Sequence, residues 1–291
     1  MRAYVWPVVL ASALFASLAW AAPNDIVLTN LVQRDANGQP MKNPNTDLVM
    51  GDQDAFKGLT TELGLVFSPR SLAPSETPGH AGFDIGLDYT LHFIQPSNSY
   101  WADSTERGQA GRTMPPVLQT LGVRARKGLP FSLEVGGGGQ YLFESHMYAV
   151  GADIRWALNE GFIWLPDLAV TLSVNRLLGN DQIDLTVASA GAQISKTFGL
   201  FGMMRLAPFA GYNYVAINAA SAVIDPDPRS ADDIGGNFTF DQVSILGNGY
   251  HRAVAGLRLG SFIFDLTIEG DINFAGQQSV QQLGFQLSLN F

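Results

Sequence analysis

Alternation of apolar and polar side chains is the dominant pattern of this chain, and it is most regular at residues 281–291. The apolar residues of this stretch all fall on one face, and they are Leu283, Phe285, Leu287, Leu289 and Phe291. The residues between them are polar or glycine. Successive side chains of a strand point to opposite faces, so the pattern predicts a β-strand with one apolar and one polar face.

Similar alternation recurs along most of the chain after residue 82. It marks strands near 82–93, 117–127, 131–143, 147–158, 168–177, 182–198 and 204–218, then a hairpin around residue 260 and a last strand at 280–291. One apolar and one polar face on every strand is expected where a sheet closes around a polar interior in lipid. We therefore expect an all-β protein, a closed antiparallel transmembrane β-barrel of about ten strands.

The stretch 52–67 decides between ten strands and twelve. Its apolar residues fit helical spacing, with Asp52 or Asp54 as a cap and Ser68-Pro69 as a stop, but they also fit a strand. Single-chain bacterial barrels have even strand numbers. An eleventh strand at 58–67 would need a twelfth from 24–34, where alternation is poor. We favour ten strands and a short helix at 52–67, with twelve strands as the alternative.

Three local features remain to be tested by the structure. In 182–198 the apolar residues change from odd to even positions: Ile183, Leu185 and Val187 share one face, and the later apolar residues fall on the other. A bulge near Ala188 would explain this change. In the last hairpin, a two-residue turn at Gly260-Ser261 would place Arg252 opposite Glu269. Aromatic residues near the strand ends, Tyr100 and Trp101 among them, are expected at the membrane rims.

Composition divides the chain into three parts. Residues 1–21 have one early positive charge, an apolar run and a small-residue cleavage pattern, and are expected to be a secretory signal peptide rather than a transmembrane helix, for which the run is short. Residues 22–81 are rich in turn residues and are expected to form a periplasmic or plug segment. Residues 82–291 form the barrel; the low charged fraction of 15% and the 31 glycines suit this assignment.

The alternating strands and the terminal aromatic resemble Gram-negative outer-membrane β-barrel proteins. Two segments, Trp156 to Gly161 and Ile194 to Gly199, are also similar to proteobacterial barrel proteins of uncharacterised function. The resemblance implies export to the cell outer membrane. It also implies recognition by the barrel-assembly machinery through a closing-strand signal consisting of Phe285, Leu287, Leu289 and Phe291.

The polar faces carry a set of charges that the alternation directs into the lumen. They are Asp84, Asp88, Arg124, Arg126, Glu134, Asp153, Arg155, Arg252, Arg258, Asp265, Glu269 and Asp271. Such charges can select small solutes in a pore. They can equally fill a narrow interior with cross-strand ion pairs, as expected for Arg258 diagonal to Asp265.

Other classes of function find little support. The chain has no cysteine, which excludes disulfides and thiolate metal sites, and its net charge of −9 is not that of a nucleic-acid-binding protein. His146 follows Ser145, but no oriented third partner is visible, so we expect no enzyme, no metal and no cofactor. The run Gly136 to Gly139 lacks the lysine and helix of a phosphate loop and indicates a close approach to the wall, with the 52–67 helix as the candidate.

Three functions fit these observations. The first is a passive, porin-like channel for small solutes. The second is a barrel with a closed lumen that acts as a structural or surface-interaction protein through loops 95–115 and 219–248. The third is a plugged barrel that imports hydrophobic ligands. Lipid is the expected surrounding in all three, and the sequence predicts no oligomeric state.

Overall fold

The computed structural model describes residues 22–45, 48–225, 237–245, 247–274 and 278–291. The expected signal peptide at 1–21 lies outside them, as does part of the loop at 219–248. Most of the remainder forms one antiparallel sheet. Its strands are β1 (Phe83–Phe93), β2 (Val117–Leu129), β3 (Leu133–Leu142), β4 (Tyr148–Asn159), β5 (Asp167–Leu178), β6 (Ile183–Ser195), β7 (Phe198–Leu200), β8 (Met204–Ser221), β9 (Gly249–Ser261), β10 (Phe264–Asn273) and β11 (Gln281–Asn290).

Ten of these strands close into a barrel. Each pairs with its neighbour in sequence, except that β6 pairs with β8, and β11 pairs with β1 to complete the ring. Phe83 and Phe291 exchange backbone hydrogen bonds at this seam, with N···O distances of 2.6 and 2.9 Å. The short β7 only extends the sheet beside the start of β8. The expected ten-stranded barrel is therefore confirmed.

Outward side chains form an apolar belt around the barrel. Leu172 is 61% exposed, Val123 57% and Leu287 56%, and comparable residues project from the other strands. Monomeric water-soluble proteins rarely expose so continuous an apolar surface, and a lipid bilayer would cover it. The barrel strands have 10 to 18 residues, which is long enough to cross a bilayer at a tilt. Among the described helices, none has the length and apolarity to span a membrane.

The two ends of the barrel differ. One end, here called the turn end, carries the short links 130–132, 160–166, 196–203 and 262–263. The other, the loop end, carries the longer connections, including 94–116 and 222–248. Within 94–116 lie two short helices, α2 (Ser99–Asp103) and α3 (Glu106–Gln109); the longer α1 (Gln53–Val66) precedes the barrel. Asp52 caps α1 by accepting from the backbone N–H of Ala55.

Two expectations about register were wrong. Strand β6 has no bulge: its pairing with β5 and β8 is continuous, and Ile183, Leu185 and Val187 all face inward. They are buried because the lumen at this level is apolar. The last hairpin turns at Phe262-Ile263 instead of Gly260-Ser261.

The altered turn shifts the pairing by four residues and keeps every side chain on its face. Arg252 lies opposite Asn273, and Glu269 lies opposite Gly256. Phe262 occupies the left-handed region with φ of 53°. An aromatic residue seldom adopts that conformation, so the Gly-Ser pair was the more obvious turn in the sequence.

The packing of α1 inside the barrel generates a first prediction. A Cβ atom on Gly64 would lie 2.8 Å from Cδ1 and 2.9 Å from Cγ2 of Ile217 in β8. We expect Gly64→Val to lower the free energy of unfolding by about 1–3 kcal/mol, because overpacking forces the helix or the wall to move. The measurement is the thermal unfolding midpoint in detergent.

A matched substitution elsewhere provides the control. A Cβ atom on Gly199 in β7 would meet no other atom within 4 Å, and the φ of Gly199 is not positive. Gly199→Val is expected to leave the midpoint unchanged, and Ile217→Ala is expected to restore part of the loss in Gly64→Val. Equal midpoints for Gly64→Val and Gly199→Val would mean that α1 does not pack against β8.

Candidate functional site in the barrel lumen

The N-terminal segment runs through the lumen from the loop end to the turn end. We call residues 53–78 the plug; it consists of α1 followed by an extended stretch, 67–78. Residues 22–52, which we call the cap, lie at the loop end. There Ile26 forms a bridge with Thr105, and the N–H of Leu28 donates to Oε1 of Gln182 at 2.5 Å. The cap therefore lies at the loop end of the barrel.

The loop-end half of the lumen is filled by an apolar core. Helix α1 contributes Phe56, Leu59 and Leu63, each with no exposed surface. The wall contributes inward residues of several strands, and the ring of Phe56 stacks on Phe240 with centroids 4.4 Å apart. Tight packing of this kind excludes water, so this half of the lumen holds side chains instead of a channel.

A buried carboxylate joins the plug helix to the first long loop. Glu62 of α1 is fully buried and accepts hydrogen bonds from Asn98 Nδ2 at 2.9 Å, Trp101 Nε1 at 2.9 Å, Tyr100 OH at 2.5 Å and the N–H of Gln95 at 3.3 Å. Burial and the bond to Glu62 raise the pKa of Tyr100, so its hydroxyl stays protonated as a donor. The expectation that Tyr100 and Trp101 lie at a membrane rim was wrong, because these contacts bury both rings.

Below α1 the plug is extended, and side chains of the wall satisfy its backbone. Carbonyls of Phe67, Pro69, Leu72, Ala73 and Pro74 accept from Asn175, Arg252, Arg258, Gln193 and Arg155 respectively. Backbone N–H groups of Leu72, Ser75 and Thr77 donate to Glu269, Ser195 and Glu160 respectively. A buried backbone group without a partner is costly, so these bonds hold the stretch in place.

Arg70 is the charged centre of this contact. Its guanidinium lies 3.3 Å from Oε1 of Glu269 and 3.3 Å from Oδ2 of Asp271, and it also donates to Thr90 Oγ1 at 2.9 Å. All four residues are nine-tenths buried or more. Two neighbouring carboxylates of β10 are thereby neutralised by a residue of the plug.

The other lumen charges form a network around the plug. The structure places all twelve in the interior. Arg126 lies 2.9 Å from Asp84, Arg124 lies 2.7 Å from Asp153, and Arg155 lies 3.8 Å from Glu134. Arg258 bridges Asp84 at 3.4 Å and Asp265 at 3.5 Å, while Asp88 accepts from Gln286 at 2.7 Å. Most of these charges are thus occupied with one another or with the plug.

A polar cavity of about 390 Å³ opens at the turn end beneath the plug. Its lining includes Asp84, Arg126, Arg205, Arg258 and Asp265. Two smaller cavities, of about 30 and 20 Å³, flank the extended stretch higher in the lumen. Among the described cavities, these two have room for little more than single water molecules.

The glycine run in β3 does not contact α1. A Cβ on Gly136 would meet the carboxylate of Asp153 at 2.7 Å, and Gly138 and Gly139 line the cavity of about 30 Å³ beside Arg70. The groups closest to this run belong to neighbouring wall strands, so the expectation that the plug helix packs against it was wrong.

The histidines are dispersed. His92 is fully buried and its Nε2 lies 2.8 Å from Thr120 Oγ1, while His251 contacts Tyr212 on the outer wall. His146 Nδ1 lies 2.5 Å from Oδ2 of Asp25 in the cap, a partner that 121 residues of separation hid from the sequence analysis. The hydroxyl of Ser145 donates to Leu142 O. The described residues contain no cluster of three or more metal-ligating side chains.

Comparison with known proteins returns architecture alone. No protein-family model matches the chain, and no curated protein does. Solved structures that resemble it are outer-membrane β-barrels. They include the translocator domain of the autotransporter NalP from Neisseria meningitidis, at TM-score 0.35 and 10% identity, which covers 82% of this chain and 98% of that one.

Two further structures have similar scores. The outer-membrane protease OmpT from Escherichia coli has a TM-score of 0.34 at 11% identity, with 76% of this chain and 100% of that one covered. The N-terminal β-barrel domain of OprF from Pseudomonas aeruginosa has 0.32 at 13%, with 73% and 99% covered. The plug and its ion pairs must therefore be interpreted from their own geometry.

The buried hydrogen bonds that Glu62 makes with the first long loop generate a second prediction. Replacing Glu62 by Gln removes one acceptor oxygen and directs an amide N–H₂ at groups that are themselves donors. We expect a loss of about 1–3 kcal/mol in unfolding free energy, together with faster proteolysis within residues 94–116. Glu144→Gln is the control, because Glu144 pairs with Arg107 at the surface and its side chain is 59% exposed. Equal effects of the two variants would show that Glu62 does not hold the first long loop to α1.

Arg70 generates a third prediction. Arg70→Met leaves Glu269 and Asp271 buried without their cation, and we expect it to destabilise the protein by about 3–5 kcal/mol in chemical denaturation. Arg34→Met removes an exposed arginine of the cap that donates to Gly38 O, and should cost less than about 1 kcal/mol. The triple variant Arg70→Met, Glu269→Gln, Asp271→Asn should recover stability relative to Arg70→Met alone; no recovery would argue against the charge balance.

Proposed function

We propose that the protein is an outer-membrane β-barrel that rests with its lumen closed by the plug and acts through the surface at its loop end. The single observation that carries this proposal is the continuous engagement of the plug with the wall, from Glu62 through Arg70 to Thr77. An apolar core, a buried ion-pair centre and a series of backbone hydrogen bonds all resist its displacement. The long connections and the cap together form the surface at the loop end.

The gated form of the channel hypothesis is the second candidate. A passive pore needs a continuous aqueous path, which the plug interrupts in this conformation. The polar cavity at the turn end and the charged wall above it nevertheless favour small polar solutes if the plug moves. Import of hydrophobic ligands has less support, because the described cavities have charged or polar linings and the apolar part of the lumen is occupied by side chains.

The remaining expectations follow from this location. Lipid covers the apolar belt, and the closing-strand signal at Phe285, Leu287, Leu289 and Phe291 would engage the assembly machinery. The cap pairs Asp25 with His146, but Ser145 is directed to the backbone of its own loop, so we propose no hydrolytic role for this group.

Conductance across a planar bilayer tests the closed state and gives the fourth prediction. The N–H of Ser75 in the plug donates to Ser195 Oγ in β6 at 2.9 Å, so Ser75→Cys/Ser195→Cys would place two thiols close together in a chain that has no other cysteine. We expect no sustained current from the wild-type protein, and brief steps from Arg70→Met, in which the plug is weakened. Oxidising the cysteine pair in the Arg70→Met background should abolish those steps.

Two other conductance results would contradict the closed barrel or favour a gated channel. Sustained steps of the same size in the wild-type protein and in the oxidised Ser75→Cys/Ser195→Cys variant would contradict the closed barrel. Voltage- or pH-dependent openings that occur in the wild-type protein and are absent from the oxidised Ser75→Cys/Ser195→Cys variant would favour the gated channel instead.

A further inference from the structure

The two ends of the N-terminal segment, the cap and the end of the plug, lie on opposite sides of the apolar belt. At the turn end, Thr77 bonds Glu160 in the link between β4 and β5, and the N–H of Gly128 donates to Gly82 O at 3.1 Å. At the loop end, the N–H of Asn24 donates to Glu144 O and the N–H of Glu106 to Asp25 O. The chain therefore crosses the whole barrel once before β1 begins, inside the lumen.

The wall holds this crossing segment by a series of contacts to its backbone, in addition to the ion pairs of Arg70. The lumen donors reach carbonyls and the lumen acceptors reach N–H groups, as described above for residues 67–77. The side chains of this stretch are mostly small or proline, in the sequence Phe-Ser-Pro-Arg-Ser-Leu-Ala-Pro-Ser-Glu-Thr. Main-chain hydrogen bonds of this kind give affinity for an extended peptide, and the buried Arg70 side chain adds a specific contact to Glu269 and Asp271.

The donor groups of the wall side chains also suit the binding of an extended backbone. Arginine, glutamine and asparagine on the wall present N–H donors to a chain whose prolines, Pro69 and Pro74, lack an N–H but retain a carbonyl. Both of those carbonyls are bonded, to Arg252 at 2.6 Å and to Arg155 at 2.9 Å. This proline-containing stretch pairs with no strand. Side chains of the wall bond its backbone in place of a neighbouring strand.

We propose that the lumen is a binding site for extended polypeptide, and that it holds residues 67–77 across the membrane so that residues 22–52 are displayed on the outer face of the cell. The inference rests on the proposed outer-membrane orientation, with the loop end outward. It goes further, because it gives the interior a ligand class and places the cap outside. A closed barrel alone would be equally compatible with an N-terminal segment that enters and leaves at the turn end.

Labelling of single cysteines in the full-length protein on intact cells tests the display. Ala36 lies in an exposed turn of the cap, and His80 is exposed at the turn end just before β1. The chain has no native cysteine, so each variant carries one thiol. With a membrane-impermeant maleimide, Ala36→Cys should label in intact cells, and His80→Cys only after the outer membrane is permeabilised.

The reverse pattern, labelling of both positions in intact cells, or labelling of neither before permeabilisation would each overturn the display. The conductance measurement is independent of this test. If the barrel conducts no current in bilayers and position 36 does not label in intact cells, the proposed closed lumen would stand and only the proposed display of the cap would be overturned.

A second measurement addresses the backbone contacts. Ser75→Cys provides a fully buried reporter, and the Ser75 hydroxyl it replaces has no hydrogen-bond partner. In this background Gln193→Leu removes the donor to Ala73 O, whereas Gln119→Leu removes a glutamine that faces the outside of the wall and accepts from Tyr89. We expect Gln193→Leu to speed labelling of the reporter about fivefold, as for the loss of one hydrogen bond, and Gln119→Leu to leave it unchanged. Equal rates in the two variants would overturn the role of the wall.

Discussion

The hydrogen bonds between wall side chains and the backbone of residues 67–77 are the interaction on which the rest of the structure depends. An extended chain inside a barrel has no neighbouring strand to pair with, and water is largely excluded around it. Each of its buried carbonyls and N–H groups therefore needs a side chain from the wall. The twelve lumen charges supply several of these partners, and most of the remainder pair with one another or with Arg70 of the plug. Without the plug, several buried groups of the wall would lose their partners.

The lumen has two regions of different chemistry. Toward the loop end, α1 fits an apolar core in which Leu185 and Ile217 face inward and Glu62 anchors the first long loop. Toward the turn end, ion pairs and a polar cavity of about 390 Å³ surround the extended stretch. The helix thus resists displacement by packing, and the stretch below it by hydrogen bonds and charge. A plug held in both ways is consistent with a barrel that stays closed and presents its surface at the loop end.

Period-two alternation predicted the barrel and the inward direction of the charges, because these depend only on which face a residue occupies. The choice of ten strands over twelve came from the even strand number of such barrels. It did not predict that Ile183, Leu185 and Val187 face inward, since alternation distinguishes two faces and assumes that the apolar one meets lipid. The turn at Phe262-Ile263 was missed because it requires an aromatic residue at positive φ. The partners of Glu62, Arg70 and His146 lie far away in sequence, and only the fold brings them together.

Hydrogen exchange of backbone amides in the plug tests the central claim most directly. The N–H groups of Leu72, Ser75 and Thr77 each donate to a wall side chain. In the protein reconstituted in lipid, the account predicts that these amides exchange as slowly as those of the barrel strands and far more slowly than exposed amides of the cap such as that of Ala36. Exchange at the rate of an exposed loop would contradict the account, because it would show that the extended stretch is not held by the wall.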